Sequence, residues 1–193
     1  MERYDYFVKE FTYVQDERLR DTFKQLIELV PAYFFEIPAS SSGRYHPKFA
    51  LGRGGLIRHT KAAVRIAVEL FRDPIFSCQF TSNERDLIII ALVLHDSFKL
   101  GLPKEAHTRF DHPLIAADFL DEVKDQLQFT DAEIQFLQAL IRSHMGPWNE
   151  DREGNEVLPV PCTEAEKFVH LCDYLASKKF MNVSFDINGN IIG

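Results

Sequence analysis

Three local sequence signals of the same kind constrain the fold of this chain most strongly. In each, a threonine is followed three residues later by a glutamate, which is the capping-box pattern that begins an α-helix. The three pairs are Thr81 with Glu84, Thr130 with Glu133, and Thr163 with Glu166. An apolar-rich stretch follows each pair, over residues 87–94, 134–141 and 168–175. The pattern predicts three helices that pack against a core.

Other segments extend this helical pattern. Further helices are predicted at about residues 17–30, 56–71 and 114–127, the first of them stopped by Pro31. The apolar positions of 56–71 form no clean stripe, so we expect this helix to be buried on several sides. Residues 182–193 alternate and contain Asn188-Gly189, which is typical of a hairpin turn. We predict an all-α helical bundle of six or seven helices with a small β-like C-terminal tail.

Length and charge narrow the functional classes. The chain has 193 residues, which is typical of one domain, and we predict a single domain over residues 1–193. Lys and Arg number 22 against 29 Asp and Glu, which gives a formal net charge of −7. Because a protein that coats nucleic acid needs a basic excess, this balance excludes a general nucleic-acid-coating surface. It remains compatible with a small phosphorylated substrate in a local pocket.

The sequence carries no signal for export or membrane insertion. The three cysteines have no Cys-x-x-Cys spacing, so no disulfide framework is indicated. The N-terminus lacks the basic and then apolar run of a signal peptide. The longest apolar run covers residues 87–94, far short of the roughly 20 residues that cross a bilayer. We therefore expect a cytoplasmic protein with no membrane partner.

The dipeptide His95-Asp96 directly follows the apolar run 87–94. A buried helix would thus deliver an imidazole and a carboxylate into the interior, where a metal or a hydrogen-bond network must satisfy them. Lys99 lies four residues after His95 and would share its face if the helix continued. A cation beside a metal site suits an anionic substrate. The alternative for Lys99 is an ordinary solvated lysine.

Further ligand-type residues lie on separate predicted helices or at their ends. They are His59, His112, His144 and Asp173. Imidazole and carboxylate together suit Fe, Mn, Zn or Ni better than Ca or Mg, and helical bundles assemble metal sites from inward ligands on several helices. Any single one of these histidines is more often structural than a ligand. His170 lies three residues before Asp173 and could share its face.

Five short elements follow one another along the chain. They are Gly54-Gly55-Leu56-Ile57-Arg58-His59-Thr60, His95-Asp96-Ser97-Phe98-Lys99, Asp111-His112-Pro113-Leu114, Ser143-His144-Met145-Gly146 and Leu171-Cys172-Asp173-Tyr174-Leu175. In this order, over about residues 32–179, they resemble the HD superfamily of metal-dependent phosphohydrolases. Within the superfamily, Pro38-Ala39 and His46 ahead of the first element are most similar to the HD domain of bacterial 3′→5′ exoribonucleases that join an OB fold to an HD domain.

The resemblance implies a metal site with one or two divalent transition ions, namely Fe, Mn, Ni or Zn. It implies that one ion would be held by His59, His95, Asp96 and Asp173. His112 and His144 would draw in a second ion, with Asp96 bridging the two. Paired ions activate a hydroxide nucleophile in phosphoryl displacement. Asp96 and Lys99 are thereby implied as catalytic, Lys99 by neutralising a phosphate oxygen in the transition state.

The substrate rim is more weakly indicated. Its candidates are Arg44, His46, His107, Arg109 and Trp148. The histidines and arginines are more often structural at such positions. Trp148, the only tryptophan, either stacks on a base or attaches its long loop, residues 146–161, to the body of the protein.

Three functional hypotheses follow from the residues and the resemblance. The first is a phosphomonoesterase or phosphodiesterase that hydrolyses a small phosphorylated substrate, such as a nucleotide or a short oligonucleotide end. The second is a nuclease subunit that acts on longer RNA or DNA with a partner. The third is a non-catalytic HD-fold module that binds a nucleotide or a protein. A homo-oligomer is left open.

Overall fold

A computed structural model describes residues 2–40, 43, 46–181 and 183–192 of the chain. Its regular secondary structure consists of helices joined by loops. Over these residues there are eight α-helices and no β-strand, so the predicted all-α class is confirmed. The helices are α1 (Val8–Phe11), α2 (Glu17–Leu29), α3 (Gly55–Phe71), α4 (Pro74–Ser77), α5 (Ser82–Leu94), α6 (His112–Val123), α7 (Asp131–Arg142) and α8 (Glu164–Ala176). Helices α1 and α4 are single turns, and the other six form the bundle. None of the helices in the described residues combines the length and apolar character needed to cross a membrane.

All three predicted capping boxes form, and they begin α5, α7 and α8. In the first, the backbone N–H of Thr81 donates to Oε2 of Glu84 at 2.7 Å. The Glu84 N–H donates in return to Oγ1 of Thr81 at 3.2 Å. Each box satisfies backbone donors that the first helical turn leaves without a partner. These helices therefore begin where the sequence alone places them.

Helix α5 lies at the centre of the bundle. It packs against α3, α7 and α8, while α6 packs on the outer side of α7. Residues 87–94 of α5 are all buried, which explains their uninterrupted apolar character. Helix α3 is buried on several sides, as its lack of a clean apolar stripe predicts.

The two ends of α6 and the form of the C-terminal tail differ from the prediction. Helix α6 begins at His112, two residues earlier than predicted, because Pro113 occupies its first turn, where a missing N–H is harmless. It ends at Val123, and a 3₁₀ turn, Lys124–Gln126, completes the segment. Over residues 183–192, the described part of the predicted β-like tail, the pairing is one antiparallel bridge between Phe185 and Ile191.

Candidate metal centre

The six predicted metal ligands come from five helices or helix ends and meet in one place. All six are buried except Asp173, whose side chain is 19% exposed. His59 lies in the second turn of α3, and His95 and Asp96 directly follow α5. His112 begins α6, His144 follows the end of α7, and Asp173 lies in the last turn of α8. The packing of α5 between α3, α7 and α8 is what brings these ends together.

Three of the histidines make the same local hydrogen bond. In each, ring Nδ1 lies 2.7 Å from the backbone carbonyl oxygen of the residue three positions earlier. The pairs are His95 with Leu92, His112 with Arg109, and His144 with Ile141. Because a carbonyl oxygen only accepts, Nδ1 carries the proton in each ring. In the neutral imidazole the lone pair is then on Nε2, which is the arrangement of a metal-binding histidine.

A first group of ligand atoms surrounds His59. Its Nε2 lies 2.9 Å from Oδ1 of Asp173, and Nε2 of His95 lies 3.4 Å from the same oxygen. Oδ2 of Asp96 lies 3.9 Å from Nε2 of His59 and 3.6 Å from Nε2 of His95. The ligand atoms of His59, His95 and Asp173 all lie within 4.8 Å of one another, which is close enough for one ion.

A second group lies on the other oxygen of Asp96. Oδ1 of this carboxylate is 2.9 Å from Nε2 of His112 and 3.8 Å from Nε2 of His144. The ligand atoms of His95, Asp96 and His144 also lie within 4.8 Å of one another. Asp96 therefore directs one oxygen toward each group of imidazoles.

The side chains of this centre fit a divalent transition metal. Nε2 of His95, Nε2 of His112 and Nδ1 of His59 are buried, and none of them has a hydrogen-bond partner among the residues that the structure describes. Buried polar atoms without partners are costly and uncommon, and a metal ion is a natural acceptor of such lone pairs. Imidazole and carboxylate without thiolate suit Fe, Mn, Ni or Zn. The buried His and Asp groups could thus hold a metal.

Both carboxylates of the centre are ionised. Burial favours the neutral acid, but the charge of Lys99 and the close imidazoles of His95 and His112 outweigh it and hold the pKa of Asp96 well below its ordinary value. Burial likewise opposes ionisation of Asp173, but the hydrogen bond with His59 and the nearby imidazole of His95 hold its pKa well below the ordinary value. Two negative charges therefore face the imidazoles.

Two further histidines stay neutral. Burial, reinforced by the neighbouring imidazoles of His95 and His112, lowers the pKa of His144 to about 3. His46 packs edge-on against His59, with ring centroids 5.0 Å apart. Burial and His59 lower the pKa of His46 to about 3. Because the rings of His46 and His144 are neutral, these two residues add no positive charge that would compete with a cation for the carboxylates.

A cavity of about 510 Å³ opens onto the centre, a size that suits a small ligand. Besides the predicted ligands Asp96, His112, His144 and Asp173, it is lined by His46, Lys99, Thr108, Met145, Trp148, His170, Tyr174, Ser177 and Lys178. Nζ of Lys99 lies 2.5 Å from Oδ2 of Asp96, with 12% of the Lys99 side chain exposed to the cavity mouth. Of the predicted rim residues, His46 and Trp148 thus lie in the cavity wall.

The remaining rim candidates lie elsewhere. His107 is exposed and lies outside the cavity. Arg109 lines an adjoining groove, and its guanidinium is held by Asp111 at 2.6 and 2.8 Å and by Glu105 at 2.5 Å. Its charge is therefore already paired within the protein. Arg44 falls outside the described residues.

Sequence reasoning missed Tyr174 and Lys178 in the cavity wall, and it noted His170 only as able to share a face with Asp173. His170 and Tyr174 lie one turn apart on α8, beside Asp173, and Lys178 follows the end of that helix. Nδ1 of His170 lies 2.8 Å from the carbonyl oxygen of His144, so His170 holds the segment that carries a candidate ligand. The spacing of four residues was the available signal, but it does not distinguish a cavity wall from a packed helix face.

Comparison with known proteins was made after this geometry. The family model described as "HD domain" matches residues 56–178, which is more than half of the chain. Comparisons with curated proteins and with solved structures find no match.

Proposed function

Since the chain belongs to the HD domain family, we propose that it is a metal-dependent phosphohydrolase that acts on a nucleotide or a short oligonucleotide end. One observation carries this proposal: the Asp96 carboxylate lies between two groups of buried imidazoles, with one oxygen facing each. This is the arrangement expected of a carboxylate that would bridge two ions. The buried nitrogens without partners support the same conclusion.

Within this proposal each side chain has a role. His59, His95 and Asp173 would hold one ion, and His112 and His144 would hold the second, with Asp96 shared. A divalent metal there supplies Lewis acidity and a water of lowered pKa, the two things that phosphoester hydrolysis needs. Lys99 extends its ammonium group from Asp96 into the cavity, where it would neutralise a phosphate oxygen as charge develops.

The surroundings of the cavity favour a short substrate. The adjoining groove shares Thr108, His112 and Met145 with the cavity, so a longer substrate would extend into it. That groove is also lined by residues 150–153, Glu-Asp-Arg-Glu, and the charge of its Arg109 is already paired. A polynucleotide backbone would meet carboxylates there, in a protein whose net charge is −7.

A nucleotide is the phosphoester that the sequence favours. Pro38-Ala39 and His46 are similar to the corresponding segment of OB-plus-HD exoribonucleases, and His46 lies in the cavity wall. That similarity supports a nucleotide or a strand end as substrate. The same similarity is compatible with the second hypothesis, a nuclease subunit whose partner supplies the strand-binding surface. The third hypothesis, a non-catalytic module, assigns no role to Lys99 beside Asp96.

The experiment is an assay of the protein after chelation and reloading with Mn, Fe, Ni or Zn in turn. Substrates are nucleoside monophosphates, a dinucleotide and homopolymer RNA, each at two salt concentrations. We expect hydrolysis of the small substrates, little change with salt, and no hydrolysis by Asp96→Ala. A steep loss of activity with salt on the homopolymer alone would favour the nuclease subunit. Absence of hydrolysis with every metal would leave the binding module.

A further inference from the structure

One wall of the cavity is aromatic. The rings of Trp148 and Tyr174 stack nearly parallel, with centroids 5.7 Å apart and an interplanar angle of 15°. The ring of His170 lies 6.0 Å from Trp148 and 5.9 Å from Tyr174. All three line the cavity that contains Asp96 and Lys99. We call Trp148, His170 and Tyr174 the aromatic wall.

The wall keeps much of its aromatic surface in solvent. Trp148 is 53% exposed and Tyr174 is 37% exposed. Large aromatic side chains usually bury most of their surface, and exposed apolar surface beside a cavity marks a site where a ligand or a partner binds. The exposed rings therefore need an explanation beyond the packing of the protein itself.

Attachment of the loop does not explain Trp148. The same loop is held by backbone hydrogen bonds from Val157 and Leu158 to the carbonyl of Asn149, at 2.9 and 3.1 Å. Leu158 is only 3% exposed and anchors the loop in the body of the protein. On the other side of Trp148, His170 holds the carbonyl of His144. The loop is thus fixed on both sides of the tryptophan by other residues.

A positive charge adjoins the wall. Nζ of Lys178 lies 3.3 Å from the centroid of the Tyr174 ring, a cation–π contact, and Lys178 lines the same cavity. The cavity is therefore lined by two ammonium groups, that of Lys99 near the candidate metal ligands and that of Lys178 at the aromatic wall. An anionic ligand with a flat aromatic part matches this combination.

We propose that the aromatic wall is a nucleobase-stacking subsite, with Trp148 as its specificity-determining residue. The inference rests on the proposed function, because it assigns the part of the substrate distant from the reacting phosphate. Stacking on ring faces accepts every base, since each base has a π-face, and a purine overlaps the indole more than a pyrimidine does. Sugar phosphates without a base would lack this contact.

Binding can be measured directly because Trp148 is the only tryptophan in the chain. The metal-loaded protein is mixed rapidly with adenosine monophosphate, uridine monophosphate or ribose 5-phosphate, and tryptophan fluorescence is recorded before turnover. We expect quenching by both nucleotides, at lower concentration for the purine, and none by ribose 5-phosphate. Equal signals from all three compounds, or none from the nucleotides, would overturn the subsite.

Kinetics supply a second measurement. Trp148→Leu should raise the KM for adenosine monophosphate about ten-fold, with kcat and the metal content retained. Trp148→Phe, which keeps a ring face, should recover most of that loss. Phe180→Leu is the matched control, because Phe180 is 77% exposed near the same end of α8 but does not line the cavity. An unchanged KM in Trp148→Leu would contradict the proposal.

The two proposals can fail separately. Quenching by nucleotides without hydrolysis of any phosphoester would support the subsite and reject the proposed hydrolase. Hydrolysis of ribose 5-phosphate as efficient as that of adenosine monophosphate would retain the hydrolase and reject the subsite.

Discussion

The ammonium nitrogen of Lys99 lies 2.5 Å from Oδ2 of Asp96, the oxygen that also faces His59 and His95. The two residues are three apart in sequence, and the chain turns after α5 so that both side chains reach the same cavity. Lys99 therefore touches a candidate ligand without being one. Substitution of Lys99 can therefore test the role of positive charge near the substrate without removing a candidate metal ligand.

Substitution of the two residues should give different losses. Lys99→Ala should keep the bound metal and lower kcat about 10²- to 10³-fold, because it removes one electrostatic stabiliser of the transition state. Asp96→Ala should lose both hydrolysis and most of the metal. Elemental analysis and steady-state kinetics on the same preparations check this, with the exposed Lys124→Ala as control. An active Asp96→Ala protein would refute the mechanism.

The two groups of imidazoles predict the metal content. Protein purified without chelator should contain about two equivalents of transition metal, and His144→Ala should retain about one, because it removes a ligand from the second group only. His107→Ala is the control, since His107 is exposed and lies outside the cavity. One equivalent in the wild-type protein would point to a mononuclear site and assign His112 and His144 to other roles.

Gly146 should tolerate no side chain. Its φ is +66°, and a Cβ there would lie 2.2 Å from Cε1 of His170. Gly146→Ala should lower the free energy of unfolding by about 3 kcal/mol, from a clash added to the cost of left-handed backbone. Gly154→Ala is the matched control, because Gly154 has a φ of +82° with no atom within 4 Å of the added Cβ.

That control should cost only about 1–2 kcal/mol, the backbone component alone. Urea unfolding of the metal-free proteins measures both values. Because His170 contacts the carbonyl of His144, Gly146→Ala should also weaken metal binding, whereas Gly154→Ala should not. Equal stability losses in the two variants would show that the His170 ring moves aside without cost.

Acid stability should depend on the ion pair between Arg18 and Glu133, whose closest atoms are 2.6 Å apart. Burial favours the neutral acid, but the hydrogen bonds from Arg18 outweigh it and lower the pKa of Glu133 below 4.5. A lowered folded-state pKa stabilises the fold above the unfolded-state pKa, and this contribution is lost as the pH falls through the folded-state value. Glu133→Gln should therefore be less stable than wild type at neutral pH. Below the folded-state pKa of Glu133, the two proteins should have the same free energy of unfolding.

The expected difference at neutral pH is about 1 kcal/mol, because Arg18 is partly exposed and solvent screens the pair. Thermal unfolding across a pH series measures it. Glutamine still completes a capping box, so the variant removes the charge and keeps the cap. Glu166→Gln makes the same change in the capping box of α8, where none of the described arginines pairs with the carboxylate. If both variants behaved alike, the pH dependence could not be attributed to Arg18.

Several features of the fold were predictable because their causes are local. The capping boxes at Thr81, Thr130 and Thr163 act within four residues, and all three helices begin where expected. The burial of residues 87–94 followed from their composition, and so did the delivery of His95 and Asp96 to the interior. The early start of α6 was a missed signal, because Pro113 favours a first helical turn.

The cavity wall was less accessible to sequence reasoning. Trp148 lies in a loop, and nothing in its neighbourhood along the chain predicts a stack on Tyr174, which is 26 residues away in α8. Arg109 carried the right charge for a phosphate, but Glu105 and Asp111 already pair with it. Such outcomes depend on which partners folding brings near, and residue type alone does not reveal them.

The helices and the kinds of side chain that they carry could be inferred from sequence alone, because capping, apolar periodicity and burial operate over a few residues. The position of His95 and Asp96 at the end of a buried helix could be inferred in the same way. Two relationships could not: Asp96 directs one oxygen to each of two imidazole groups, and Trp148 and Tyr174 share a wall. Those distances arise from how α3, α5, α7 and α8 pack together, and contacts between residues far apart in the chain set that packing.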